Sequence, residues 1–236
     1  MDTKARSKSM QNILSNLLIY QEFEVVIFGD QAILDEPIEQ WPKCDILIAF
    51  FSHGFPLAKA IDYVKLVKPY CVNDLLMQEL LLDRRVILSV LDAIDVPTSR
   101  RIFRNLDRPQ LSHEVLEIAS MNFGLDLYSP LYRVKDISQD FLECFLPRPF
   151  VEKPADAENH DINIYYPDGT GRRLFRKIEN KSSEFDPNLN AIRADGKSYV
   201  YEEFLMMDNA EDIKVYTVGP YHTYAETRKY TNIICQ

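Results

Sequence analysis

The sequence lacks the basic excess that a protein gripping DNA or RNA through its backbone needs. Its 27 Lys and Arg stand against 36 Asp and Glu, for a formal net charge of −9. General nucleic-acid binding is therefore excluded as its main business. A basic cluster inside so acidic a chain points instead to one compact anionic ligand. Cysteine is sparse too: Cys44, Cys71, Cys144 and Cys235 form no C-x-x-C pair and have no histidine at metal-ligand spacing. That pattern implies buried thiols in a reducing compartment and no structural zinc. No run approaches the ~20 apolar residues of a membrane-spanning helix. The polar, basic opening MDTKARSKSM is not followed by the apolar stretch of a secretory signal. The expectation is a cytoplasmic (cytosolic) protein, with the nucleus also open to it. Internal repeats and low-complexity tracts are absent.

What is present suffices for a core: 46% of the 236 residues are hydrophobic and 27% charged. Ile13, Leu14, Leu17 and Leu18 recur at helical spacing behind Ser7 or Ser9 as a cap. Two short apolar runs, 23–28 (FEVVIF) and 45–51 (DILIAFF), read as buried strands. A helix near 57–67, a short strand at 69–72 and a long amphipathic helix over 74–91 follow. Strands alternating with helices predict a parallel, Rossmann-like front domain over 1–96, without the strand that usually opens such a sheet. Val96-Pro97 marks its end. From residue 150 the pattern turns antiparallel, with strands predicted over 149–154, 162–166, 173–178, 199–204 and 213–218. Asp168-Gly169 and Asp195-Gly196 give turn signals between them. The fold class expected is α/β, a Rossmann-like front followed by an α+β domain with an antiparallel sheet.

Five basic residues, Lys153, Arg176, Lys177, Lys214 and Arg228, fall on these strands or at their ends, and His160 falls in the turn after the first. In a strand alternate residues share a face, so Lys153 and Val151 point one way and Glu152 the other. Lys214, between Ile213 and Val215, either snorkels to solvent or reaches into a cleft to meet an anion. Taken singly, each residue reads as a solvated strand face. Their recurrence across neighbouring strands favours a cradle for phosphates.

Eight phrases carry a resemblance that spacing alone does not. They are WPKCDILIAFFSHGFPLAKAIDYVKL, VNDLLMQELLLDRR, RPFVEKP with AENHDINIYYP, RRLFRKI, SYVYEEF, DIKVYTVGP and AETRK. In this order they resemble the kinase domain of the Vip1 family of diphosphoinositol pentakisphosphate kinases, over most of 1–97 and 147–229. The resemblance implies an ATP-grasp domain over 97–236, clamping ATP behind the front domain. It also implies phosphorylation of inositol hexakisphosphate, or of 5-diphosphoinositol pentakisphosphate, at the 1-position. Such a substrate carries about a dozen negative charges and needs many rigidly held cationic donors.

Residue by residue, the resemblance puts Lys153 and Lys214 on the ATP phosphates, with Arg84 also reaching them and His160 near the nucleotide. Glu202 and Glu203 match the hinge beside the adenine, and Asp212 an acidic residue near the ribose. Lys4, Arg176, Lys177 and Arg228 match residues contacting the inositide phosphates. Bland roles stand beside these: Arg84 could cap its helix, Glu202 and Glu203 could be ordinary strand carboxylates, and His160 a turn residue. The family's magnesium ligands, two aspartates and an asparagine, have no counterpart after Lys229. The expectation is therefore a truncated ATP-grasp domain with an incomplete magnesium site, weak or inactive alone. A non-catalytic nucleotide or inositol polyphosphate binder, or a regulator of a full-length kinase, is the alternative. Smaller departures are Thr3 and His53 where the family has lysines. The stretch 111–146 has no match and reads as an insertion or a divergent strand pair.

Overall fold

The computed structural model describes residues 2–206 and 211–229, with the side chains of Arg228 and Lys229 left out. The architecture is mixed α/β, with a parallel βαβ unit near the front and a six-stranded antiparallel sheet behind it. Helix α1 (Asp2–Ala5) leads into α2 (Lys8–Leu18), whose first turn is capped by Ser7 Oγ accepting from the Met10 amide. Helix α3 (Gly29–Asp35) precedes strand β1 (Ile46–Leu47), helix α4 (Leu57–Val67) and strand β2 (Tyr70–Cys71). Strands β1 and β2 pair in parallel, as their helical crossover requires. Trp41, Leu57, Ala60, Ile61, Tyr63 and Leu75 form the core beneath this unit.

Three front-half expectations change. Residues 23–28 form no ladder, although their composition reads as a strand. Phe23, Val25 and Val26 are exposed, and the segment borders an apolar cleft of about 680 Å³ with Leu14, Leu17 and Ile46. A β-branched run signals burial, but it becomes a strand only where a neighbour offers its backbone. The predicted helix over 74–91 divides into a 3-10 segment, Met77–Leu82, and helix α5 (Arg84–Ala93). Asp83 causes the break: its extended backbone and side chain, accepting from the Arg85 amide, begin a new helix. The thiols are less buried than expected, since Cys44 and Cys71 are half-buried and Cys144 is exposed. Cys235 lies outside the described residues.

The stretch 111–146 is helical rather than a strand pair. Helix α6 (His113–Phe123) begins at a Ser112 cap and ends on Gly124 at φ 64°, and helix α7 (Gln139–Phe145) begins at a Ser138 cap. Val115, Ala119, Leu125, Leu127 and Tyr132 pack with Leu80 and Val86, joining this region to α5.

The large sheet runs β3 (Arg101–Arg104), β8 (Tyr199–Glu203), β4 (Phe150–Pro154), β5 (Ile162–Tyr165), β6 (Gly171–Ile178), β7 (Lys181–Asp186). Strand β8, between β3 and β4, is buried along nearly its whole length, and β4 alternates buried and half-buried residues. That alternation turns Phe150, Glu152 and Pro154 inward, with Val151 and Lys153 on the opposite face, as the sequence pattern implies. Leu142, Leu146, Phe150, Tyr165, Tyr199 and Tyr201 fill the interior. Phe150 stacks on Tyr165 with ring centroids 4.9 Å apart. Gly171 has no room for a side chain, because a Cβ there would come within 2.3 Å of the Ile164 carbonyl oxygen. A separate hairpin, β9 (Glu211–Val218) and β10 (His222–Lys229), places Asp212 opposite Arg228 and Lys214 opposite Glu226. No helix among the described residues is long and apolar enough to cross a membrane.

Candidate functional site

The turn between β4 and β5, residues 155–161, is where chemistry gathers. Asx-type bonds shape it: Asp156 Oδ1 accepts from the Glu158 amide and Asn159 Oδ1 from the Asp161 amide, at 2.9 and 3.0 Å. Arg84, the first residue of α5, reaches across from 70 positions earlier in the chain. Its Nη1 donates to the Pro154 carbonyl at 2.6 Å and to the Asp156 carbonyl. Its Nη2 donates to the carbonyls of Ala157 and Asn159 at 3.1 and 3.0 Å. The Arg84 amide also donates to Ala155, and Ala157 to Leu82, so a short bridge ties α5 to the turn. Burial pulls the guanidinium's pKa down, while Asp156, Glu202, Asp83 and Glu158 push it back up.

On the sheet below, the Lys153 ammonium pairs with the Glu202 carboxylate of the neighbouring strand. Glu202 is nearly buried and Lys153 half-buried, so the pair lies on the edge of the site. Arg176 on β6 reaches the same turn, where its Nη2 donates to the Glu158 carbonyl at 2.8 Å and pairs with the Glu158 carboxylate at 3.2 Å. His160 is exposed. Partial burial, followed by the charges of Arg176 and Arg84, holds its imidazole below the usual value. At neutral pH it is therefore uncharged and offers one N–H donor. A phosphate settling beside it should raise that pKa. An NMR titration of the His160 ring with and without adenosine triphosphate is expected to show the upward move; an unchanged midpoint would remove His160 from the nucleotide site.

Arg84, Lys153, His160, Arg176 and Glu202 thus converge. Glu203, at the end of β8, meets Arg100 at 3.5 Å instead. Lys177 is exposed on β6, and Lys4 is exposed on α1. Asp212, Lys214 and Arg228 lie on the β9–β10 hairpin, where the Lys214 ammonium sits 4.7 Å from the centre of the Tyr216 ring. No hydrogen bond or ion pair among the described residues joins Lys4, Lys177 or Lys214 to the converging cluster.

Sequence reasoning overlooked the support beneath it. Glu152, wholly buried, accepts from Tyr165 Oη and Asn163 Nδ2 on Oε1, and from Tyr201 Oη and the Arg193 amide on Oε2. The Arg193 guanidinium meets Glu152 at 3.2 Å and Asp161 at 3.1 Å, tying the loop before β8 to the residue after His160. Arg173 clasps Asp161 from the other side at 2.6 and 2.9 Å. The inward phase of Glu152 in the alternating β4 pattern was the one available signal.

The Arg173 bond, ahead of the Arg193 charge, holds the Asp161 carboxyl below the ordinary carboxylate range. A depressed carboxylate contributes stability that is present above its unfolded value and lost as pH falls through its folded one. Acid titration of wild type and Arg173→Gln should therefore show a stability gap at neutral pH that closes below about pH 4. A gap independent of pH would mean that Arg173 does not act through Asp161.

A mixed α/β chain whose antiparallel sheet carries cationic side chains around one turn is compatible with part of an ATP-grasp kinase. Comparison with known proteins narrows the class. Residues 1–83 match the family model described as the diphosphoinositol pentakisphosphate kinase 2 N-terminal domain. Over 97% of its length the chain is 51% identical to an inositol hexakisphosphate and diphosphoinositol-pentakisphosphate kinase of Saccharomyces cerevisiae. Over the same share it is 44% identical to VIP1 of Arabidopsis thaliana and 43% identical to kinase 2 of Homo sapiens, both similarly described. Over nearly its whole length the chain is thus similar to a segment of inositol hexakisphosphate and diphosphoinositol-pentakisphosphate kinases. It spans about a fifth of these relatives, 20%, 20% and 17% of their respective lengths.

Proposed function

We propose that this chain supplies the nucleotide- and inositide-gripping part of a kinase that uses ATP to phosphorylate inositol hexakisphosphate or 5-diphosphoinositol pentakisphosphate at the 1-position. The observation that carries this reading is the convergence of Arg84, Lys153, His160 and Arg176 on the turn after β4. Phosphoryl transfer asks a protein mainly for charge neutralisation and in-line positioning. In this reading Lys153 donates to ATP phosphates, with Glu202 fixing its ammonium and His160 adding a neutral donor. Arg176 and Lys177 hold substrate phosphates. The reading also gives Lys214 to the ATP phosphates, Asp212 to the ribose, and Lys4 and Arg228 to the substrate phosphates. Glu203 lies beside the adenine.

A magnesium ion accompanying ATP would be held mainly by the phosphates and one or two carboxylates. Among the described residues no three His, Cys, Asp or Glu side chains are grouped to hold one. In this reading the steps assigned to the chain are binding and orientation, with turnover by the chain alone weak or nil. We also propose that it comprises a front unit over 1–96 and a lobe over 97–236, acting in the cytosol.

Calorimetry on the purified chain tests the reading, with ATP and inositol hexakisphosphate as the probes. Lys153→Met is expected to weaken ATP at least about tenfold, since a hydrogen bond to a charged group is worth ~1.5–3 kcal/mol. Arg176→Gln with Lys177→Gln should weaken inositol hexakisphosphate by a similar factor and leave ATP less affected. Affinities unchanged in both variants would sink the assignment.

A further inference from the structure

Among the described residues, Arg172 is a half-buried sheet cation that meets no carboxylate. Arg172, on β6, is half-buried, and its Nη1 donates to the Ser183 hydroxyl of β7 at 3.2 Å. Its Nε is enclosed and meets no acceptor, and no carboxylate among the described residues pairs with the guanidinium. Its neighbours Arg173 and Arg176 both have carboxylate partners, Asp161 and Glu158. A partly desolvated guanidinium whose partner is a neutral hydroxyl is a site short of one anion.

The position of the hydroxyl suggests how the anion arrives. In the antiparallel register Arg172 lies opposite Phe185 and Leu174 opposite Ser183, so Arg172 and Ser183 are diagonal neighbours on one face. Strand β7 is the edge of the six-stranded sheet, so one side of its backbone is unpaired and it can detach without breaking two ladders. The sequence Ser183-Glu184-Phe185-Asp186 places carboxylates one and three residues after the serine. Protein kinases with basic substrate grooves read that charge pattern in an extended segment.

We propose that Ser183 is a phosphoacceptor for an acidophilic protein kinase, and that Arg172 receives the phosphate. In the transfer, Ser183 Oγ bonds to the γ-phosphorus of ATP as the bond to the β–γ bridging oxygen breaks. ADP leaves, and the hydroxyl proton passes to the protein kinase's own base. The phosphoserine brings a charge of about −1.5 to −2 and three acceptor oxygens, enough to satisfy both Nη1 and the idle Nε. It also puts negative charge on the strand pair bearing Arg173, Arg176 and Lys177, opposing any polyphosphate held there.

The test incubates the full chain with ATP and an acidophilic kinase of the casein-kinase type, without inositide, and reads intact mass, peptide maps and thermal midpoints. Wild type and Ser182→Ala should each gain one phosphate, and Ser183→Ala none. Phosphorylation should raise the wild-type midpoint by roughly 2–6 °C and leave that of Arg172→Gln unmoved. The Arg172 Nε–H resonance should shift on phosphorylation and stay in place when inorganic phosphate is added to the unmodified chain. Phosphate on Ser182 or nowhere, an equal midpoint shift in Arg172→Gln, or an equal response to inorganic phosphate would each overturn the proposal. None of these readouts depends on inositide binding, so failure here leaves the proposed kinase role standing.

Discussion

Replacing Glu152 with alanine is expected to destabilise the chain by about 3–5 kcal/mol, the usual cost of removing one partner from a buried ion pair. The carboxylate is fully buried at the centre of the sheet. Its removal takes one of two carboxylates from the Arg193 guanidinium, which is about four-fifths buried and keeps only Asp161, and leaves the hydroxyls of Tyr165 and Tyr201 without their acceptor. Each orphaned buried group adds its own desolvation cost. Burial pushes the Glu152 carboxyl above its ordinary range, against the opposing pull of the Arg193 amide and guanidinium. That direction identifies desolvation as the dominant influence on the carboxyl. Glu152→Gln keeps an acceptor at one oxygen and should cost less, about 1–2 kcal/mol. Urea unfolding of the three proteins at neutral pH measures both losses. An alanine variant within 1 kcal/mol of wild type would show that the network is ornament rather than support.

The same residues show what could be read in advance. The phase of β4 was legible because period-two alternation is local: Phe150, Glu152 and Pro154 share a face whatever surrounds them. Helix α4 was legible for a similar reason, its apolar spacing running unbroken over 57–67. Pairing is not local. Residues 23–28 have strand composition, but whether they enter a ladder depends on a neighbour's backbone. Strands β3, β7 and β10 escaped notice because RIFR is short and basic, and KSSEFD and HTYAETRK are polar. Their place in a sheet comes from partners rather than from an apolar face. Arg193 sits in a polar loop with nothing nearby to announce that it bridges Glu152, 41 residues away, and Asp161, 32 residues away. Family wording supplied expected roles for Lys153, Arg176 and Glu202, yet it said nothing of what those side chains contact in the fold.

Arg84 is where those two kinds of reading diverge, and its replacement should have the largest effect on ligand binding. Family resemblance gives it to the ATP phosphates. The fold spends both of its Nη groups on four carbonyls over 154–159, leaving Nε as the remaining donor. Those carbonyls precede His160, and the turn also receives Arg176, so losing the clamp frees the segment that both rest on. Arg84→Ala is expected to speed amide exchange across 155–160 and weaken ATP binding more than tenfold, with the rest of the sheet still protected. Arg84→Lys decides the mechanism. Lysine keeps the charge but is a compact donor without the planar fork, so it cannot reach four carbonyls at once. A phosphate ligand acting mainly as a point charge would be largely rescued by lysine. A clamp would not be, and both exchange and affinity should stay close to those of the alanine variant. Restored affinity with unchanged exchange would return Arg84 to the phosphates and remove it from the turn's support.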